Sequence, residues 1–157
     1  ESISRDGLRL ISVDIKRGTS ETQDPRINSL SKHNCIQACI AAAEAGGDEA
    51  LMLDHNGNVT TCNSTNFFMI KDNEVWTSTG EYCLPGITRK NIIKICKENR
   101  IEIREKDFDL EDTYAADEAF VTGTFAGIIT VSEIDGHPIE GNEITSKIRR
   151  MYEQKLM

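Results

Sequence analysis

The chain has 157 residues, 38% of them hydrophobic and 28% charged, which is enough for one domain with a proper core. A formal net charge of −8 argues against nucleic acid or an anionic membrane surface as the main partner, so any anionic ligand needs a local positive site. No run approaches the ~18 apolar residues of a membrane span, and the polar opening Glu1-Ser2-Ile3-Ser4-Arg5 is not a signal peptide, so the expected setting is soluble and cytoplasmic.

In chain order, Leu8 to Ile15 reads as a strand with one apolar face, and the polar Arg17 to Asn28, holding Gly18 and Pro25, as a loop. A helix is expected from about Lys32 to Ala45, with Ile36, Cys39, Ile40 and Ala43 turned to the core and Gly46-Gly47 ending it. Glu49 to Asp54 and Asn58 to Cys62 flank Asn56-Gly57, a hairpin signal because that pair tolerates positive φ. Asn66 to Lys71 and Glu74 to Ser78 form a second hairpin about Asp72-Asn73. Then follow a helix Ile87 to Asn99, a strand Ile101 to Arg104, a short turn or helix Asp109 to Tyr114, strands Ala119 to Thr122 and Gly127 to Ile134, and a closing helix Asn142 to Met157. There is no internal repeat, low-complexity tract or linker, so one domain is expected. Hairpins with helices between them argue for a mixed sheet or barrel-like body carrying helices outside.

Cys35, Cys39, Cys62, Cys83 and Cys96 include no CxxC pair and no histidine at zinc-ligand spacing. They read as buried, reduced thiols, and no metal site is expected.

The most informative stretch is Leu84-Pro85-Gly86-Ile87-Thr88-Arg89. A helix start leaves its first N–H groups unpartnered at the positive end of the macrodipole, which suits a phosphate, and Gly86 permits close backbone approach. Val121-Thr122-Gly123-Thr124-Phe125-Ala126 supplies a second turn rich in hydroxyls and amides. Pro-Gly-x-Thr is equally an ordinary helix start with Thr88 as cap, and Thr-Gly-Thr an ordinary turn. Together the two turns point to a phosphorylated cofactor or substrate. Asp117-Glu118 reads as structural pairing, Asn66 as a tie between backbone segments, and Tyr114 as core or interface.

The order Gly57, Asn66-Phe67-Phe68, Thr77, Leu84 to Arg89, Ala116-Asp117-Glu118-Ala119-Phe120 and Thr122-Gly123-Thr124 resembles the class IV aminotransferases. These pyridoxal-phosphate enzymes include branched-chain and D-amino-acid aminotransferases and aminodeoxychorismate lyase. The resemblance runs from about Arg9 to the C-terminus. It implies a mixed α and β fold, the barrel-like large domain of fold-type IV enzymes over residues 1–157, with the small N-terminal domain absent. It further implies pyridoxal 5′-phosphate as cofactor, an amino acid and a 2-oxo acid as substrates, and a homodimer. Carried over by position, Ile87 and Thr88 would give backbone N–H groups to the cofactor phosphate, Gly86 would allow its approach, and Thr124 would add a hydroxyl. Leu84 would pack on the pyridine ring, and Thr124 and Phe125 would meet the substrate carboxylate. Arg89 would support the helix start.

Two positions depart from the pattern. The Schiff-base lysine falls at Asn28, and the carboxylate that pairs with the pyridine nitrogen falls at Thr61; neither residue can do the same job. Lys32, taken as one helical turn after Asn28, could reach the same place, its ~6 Å side chain matching a ~5.4 Å turn. Desolvation beside Leu84 would then keep it a usable amine, with His33 as a proton carrier. A solvated lysine at a helix start is the other reading, and both stand. The expected activity is amino-group transfer between an amino acid and a 2-oxo acid. The alternative, favoured by Asn28 and Thr61, is a non-catalytic relative that binds a phosphorylated ligand or serves as an assembly partner.

Overall fold

A computed structural model describes residues 7–156. Strands β1 (Leu8–Ser12), β2 (Glu49–Leu53), β3 (Val59–Cys62), β4 (Asn66–Lys71), β5 (Glu74–Thr77), β6 (Ile103–Glu105), β7 (Glu118–Gly123), β8 (Gly127–Ile134) and β9 (His137–Pro138) form one mixed sheet. Its order is β3-β2-β1-β8-β7-β4-β5-β6, with β9 on β8. Helices α1 (His33–Glu44), α2 (Ile87–Glu98), α3 (Leu110–Tyr114) and α4 (Glu143–Leu156) complete it. The sheet and helices match the expected barrel-like class.

The hairpins follow from turn chemistry. Asp72 and Asn73 both take positive φ, 51° and 63°, and Gly57 sits at 90°. Both turns therefore carry residue types suited to the left-handed region. Two crossovers are parallel: β1 pairs with β2 across α1, and β5 pairs with β6 across α2. Strand β1 also runs parallel to β8, so the first strand is held on both sides.

Alternation along the strands divides the core. Leu10, Leu51, Val59, Phe67, Met69, Val121 and Ile134 fill the inside of the curl. Phe68, Ile70, Phe120 and Ile128 face outward beneath α2 and α4, where Ile92, Ile95, Cys96, Ile148 and Tyr152 cover them. Phe68 and Phe120 stack there with centroids 4.8 Å apart and rings 6° from parallel. Phe68 pairs with Phe120 across β4 and β7. This packing fixes where α2 starts.

Three expectations change. Helix α1 buries Ala38 and Ala42 against β1 and β2, while Ile36 and Ile40 are 55% and 53% exposed and Cys39 and Ala43 lie outside. Small residues let the helix lie close on the sheet, which turns the larger apolar side chains outward. Strand β1 ends at Ser12 rather than Ile15, and the end of the closing helix at Met157 lies outside the described residues. Thr88 does not cap α2: the N-cap is Gly86, in an extended conformation and with no side-chain cap. Asp117 accepts from Asp72 N–H at 2.9 Å, and Glu118 accepts from Ile144 and Thr145 N–H at 2.9 and 2.7 Å, so this pair is structural.

Replacing Phe120 with alanine removes one ring of the stack and leaves a cavity under α2. A loss of about 3–5 kcal/mol is expected, read from urea unfolding with an unchanged slope.

Candidate functional site

The start of α2 is an open donor pair. Its first intrahelical bond runs from Lys90 N–H to Gly86 O, so the N–H groups of Ile87 and Thr88 have no partner among the described residues. No acidic side chain stands in the first turn to compete for them. The geometry there is set by Asn66, whose Nδ2 donates to Leu84 O at 3.1 Å. The Asn66 Oδ1 occupies the space that a Cβ on Gly86 would need, so a side chain at this position would displace the amide. Arg89 lies below, 8% exposed, donating to Ser78 O at 2.7 Å and to a Glu105 carboxylate at 3.1 Å. It holds the helix start, as its position in the motif suggested.

Beside this start lies a cavity of about 410 Å³ lined by the Arg17–Gly18 end of β1's exit, loop residues around Asn28, the beginning of α1 and the β3–β4 turn. Asn28, Lys32, His33, Thr61, Asn66 and Leu84 all reach it, so five sequence-derived candidates and Asn66 come together. Gly86, Ile87 and Thr88 stand next to it through Asn66. Thr124 and Phe125 do not line it; both are exposed in the β7–β8 turn, Phe125 fully.

Residues 28–32 are irregular, with α1 starting only at His33. The one-turn argument for the reach of Lys32 therefore fails, although Lys32 and Asn28 share the cavity. Lys32 is exposed, so the desolvation expected beside Leu84 is not present either. Its amine makes no hydrogen bond or ion pair to the described residues and is free to meet a ligand.

Thr61 is 4% exposed and spends its hydroxyl proton on Thr65 O at 2.7 Å. Asn66 Nδ2 approaches Thr61 Oγ1 at 3.5 Å. Glu49 secures the turn by accepting from Ser64 N–H, Ser64 Oγ and Thr65 Oγ1 at 3.0, 2.7 and 2.9 Å. Cys62 lies on the strand behind, and burial pushes its thiol well above the usual range. Among the described residues, those of β3 and the β3–β4 turn that line the cavity include no carboxylate.

Arg17 was hidden in a stretch that read as polar loop. Its Nε donates to Tyr82 O at 3.0 Å, Nη1 to Cys35 Sγ at 2.7 Å and Nη2 to Pro25 O at 3.4 Å. One side chain thus pins three segments around the cavity. The single carboxylate in the lining, Asp24, is held at about 2 by the Arg26 side chain, which donates to it at 2.9 and 2.8 Å. It is neutralised by that partner, and the cavity presents a positive lining despite the negative chain.

Among the described residues no cluster of histidine, cysteine or carboxylate side chains could hold a metal, and no helix is long and apolar enough to cross a membrane.

A model of the class IV amino-transferase family matches residues 1–134. A protein of Methanocaldococcus jannaschii, provisionally named a branched-chain-amino-acid aminotransferase, is 39% identical over 96% of this chain and 54% of its own length. The branched-chain-amino-acid aminotransferase of Pseudomonas aeruginosa is 37% identical over 76% of this chain and 40% of its own. The branched-chain aminotransferase of Thermoproteus uzoniensis, solved with norvaline, superposes with a TM-score of 0.91 at 33% identity, over 95% of this chain and 51% of that one. The chain thus spans about half the length of the Methanocaldococcus jannaschii and Thermoproteus uzoniensis proteins that it matches.

Proposed function

We propose a function from one premise: this chain belongs to the class IV aminotransferase family. The protein transfers an amino group between an amino acid and a 2-oxo acid with pyridoxal 5′-phosphate, and this chain acts as the large-domain half of that machinery. The names of the relatives support a branched-chain amino acid as substrate. The observation that carries the reading is the uncapped start of α2, where two N–H groups without a partner among the described residues, and a glycine on which a side chain would displace the Asn66 amide, adjoin a positive cavity.

A phosphate monoester fits that start. Ile87 and Thr88 would donate to it, Gly86 would let it approach, and Leu84 would lie against the attached ring. Thr124 would add its hydroxyl from the neighbouring turn, and Phe125 would stand beside the substrate. When bound, pyridoxal phosphate supplies the carbonyl that takes up the amino group. Lys32 Nζ is the amine available to attach it and to carry a proton at the substrate Cα. Thr61, whose proton goes to Thr65 O, would offer the ring nitrogen neither a negative charge nor a free proton, so proton removal at the substrate Cα would be slow. The same feature, with Asn28, favours a second reading in which the chain holds a phosphorylated ligand without chemistry. A homodimer is proposed as well, supported by the exposed apolar side chains Ile27, Leu30, Ile36, Ile40 and Phe125.

Titration with pyridoxal phosphate should give saturable binding that Gly86→Val weakens at least tenfold; binding indifferent to that change removes the α2 seat. After borohydride reduction, the cofactor mass should sit on Lys32, and Lys32→Ala should abolish it. Adducts scattered over surface lysines, or none, leave the second reading. Sedimentation velocity at micromolar concentration should show a dimer, and a monomer throughout would remove the proposed assembly.

A further inference from the structure

Residue 86 is a glycine for a reason that the backbone does not supply. Gly86 stands at φ −58° and ψ 139°, an extended conformation open to any residue. A Cβ built there would strike Asn66 Oδ1, whereas the next nearest atoms, Asn66 Cγ at 3.6 Å and Arg89 Cβ at 3.8 Å, lie at ordinary contact. Among the described residues, therefore, only the Asn66 amide excludes a side chain at this place.

The orientation of that amide is fixed from its other end. Asn66 is buried, and its Nδ2 donates to Leu84 O at 3.1 Å. Turning the amide over would set its oxygen against the Leu84 carbonyl, two acceptors face to face, so Oδ1 is the atom left over Gly86. Leu84 O also accepts from Gly86 N–H at 2.8 Å, and the intervening Pro85 brings no donor of its own. The carbonyl that leads into α2 is thus held by two donors, one of them sent from β4. Directly after this turn come the Ile87 and Thr88 N–H groups that have no partner among the described residues.

We propose that Asn66 is the positioning residue of the anion seat at α2 and that residue 86 is glycine to admit its amide, so that Asn66 and Gly86 act as one unit. The amide sets the direction in which the Ile87 and Thr88 N–H groups point and makes no contact with the anion itself. This rests on the proposed function for the identity of that anion as a phosphate monoester.

The probe is pyridoxine 5′-phosphate, which has the ring and the phosphate but no aldehyde. Its affinity for the full chain is read from the backbone amide shifts of Ile87 and Thr88 in heteronuclear NMR. Asn66→Ala and Gly86→Ala should each weaken binding about tenfold, and the double variant should bind within about twofold of Asn66→Ala, because the second substitution costs nothing once the amide is gone. Losses that multiply to about a hundredfold mean that Gly86 serves the ligand directly, which overturns the proposal. Unchanged affinity in an Asn66→Ala chain whose amide spectrum shows it folded assigns Asn66 to stability alone, and this overturns it as well. The native chain supplies a reading that needs no variant: the Asn66 side-chain NH₂ signals should shift along the same binding curve as the Ile87 and Thr88 amides. If they stay fixed while those amides move, the proposal falls even where a variant fails to fold. A native chain that does not bind the probe overturns the proposal together with the seat. Absence of amino-group transfer, or of an adduct on Lys32, removes the proposed activity and leaves this measurement standing, since the probe forms no imine, so the two failures are distinguishable.

Discussion

The hydrogen bond from Asn66 Nδ2 to Leu84 O holds the site together. Asn66 opens β4, a strand buried from Asn66 to Ile70 and paired with β5 and β7, so its side chain projects from the end of an inner strand of the sheet. By accepting that bond, the Leu84 carbonyl fixes the turn that leads into α2. The other end of the amide fills the space over Gly86. One side chain therefore sets the direction of the helix start and leaves its donors uncapped. A helix beginning with a serine or aspartate cap would have gained about 1 kcal/mol of local stability and closed one donor of this turn, that of Thr88 or Arg89.

The cavity beside it is built by polar side chains that each join segments distant in sequence. Glu49 on β2 holds the β3–β4 turn with three hydrogen bonds, and Arg17 joins the loop after β1 to Pro25, Cys35 and Tyr82. Such interactions in a low-dielectric setting are strong when satisfied and costly when not. They explain how irregular chain, which packs little apolar area, can wall a cavity of fixed shape. They also place positive charge locally in a chain whose net charge is −8, which is how an acidic protein can still receive an anion.

The sheet, both hairpins and the positions of α2 and α4 were legible because their signals are local: alternation, Asn-Gly and Asp-Asn turns, and helical apolar spacing. Helix α1 was found in the right place but rotated, since Ile36 and Ile40 outweigh alanines in any hydrophobic count, while close packing on β1 and β2 admits only Ala38 and Ala42. The donor pair at α2 was legible from Pro-Gly and its neighbours. Arg17 was not, because a guanidinium bonded to carbonyls of Pro25 and Tyr82 depends on contacts across 8 and 65 residues that no spacing encodes. The reach of Lys32 was misjudged for a related reason: its argument assumed a helix where residues 28–32 are irregular.

Thr61 shows that the departures from the family pattern are built into their surroundings. A carboxylate at this position would face the Thr65 carbonyl, which now accepts the threonine proton, and two acceptors would confront one another in a buried setting. Thr65 is itself bound through Oγ1 to Glu49, so the turn cannot simply rotate the carbonyl away without loosening a second charged contact. Residue and turn are thus matched to one another. The consequence reaches the whole cavity: with no negative group supplied from β3 and Asp24 already paired with Arg26, Arg17 and Lys32 are lined up with no carboxylate partner among the described residues. The turn that holds Thr61 is thus built around a hydroxyl donor, and the cavity beside it carries its charge on Arg17 and Lys32 rather than on a carboxylate of β3.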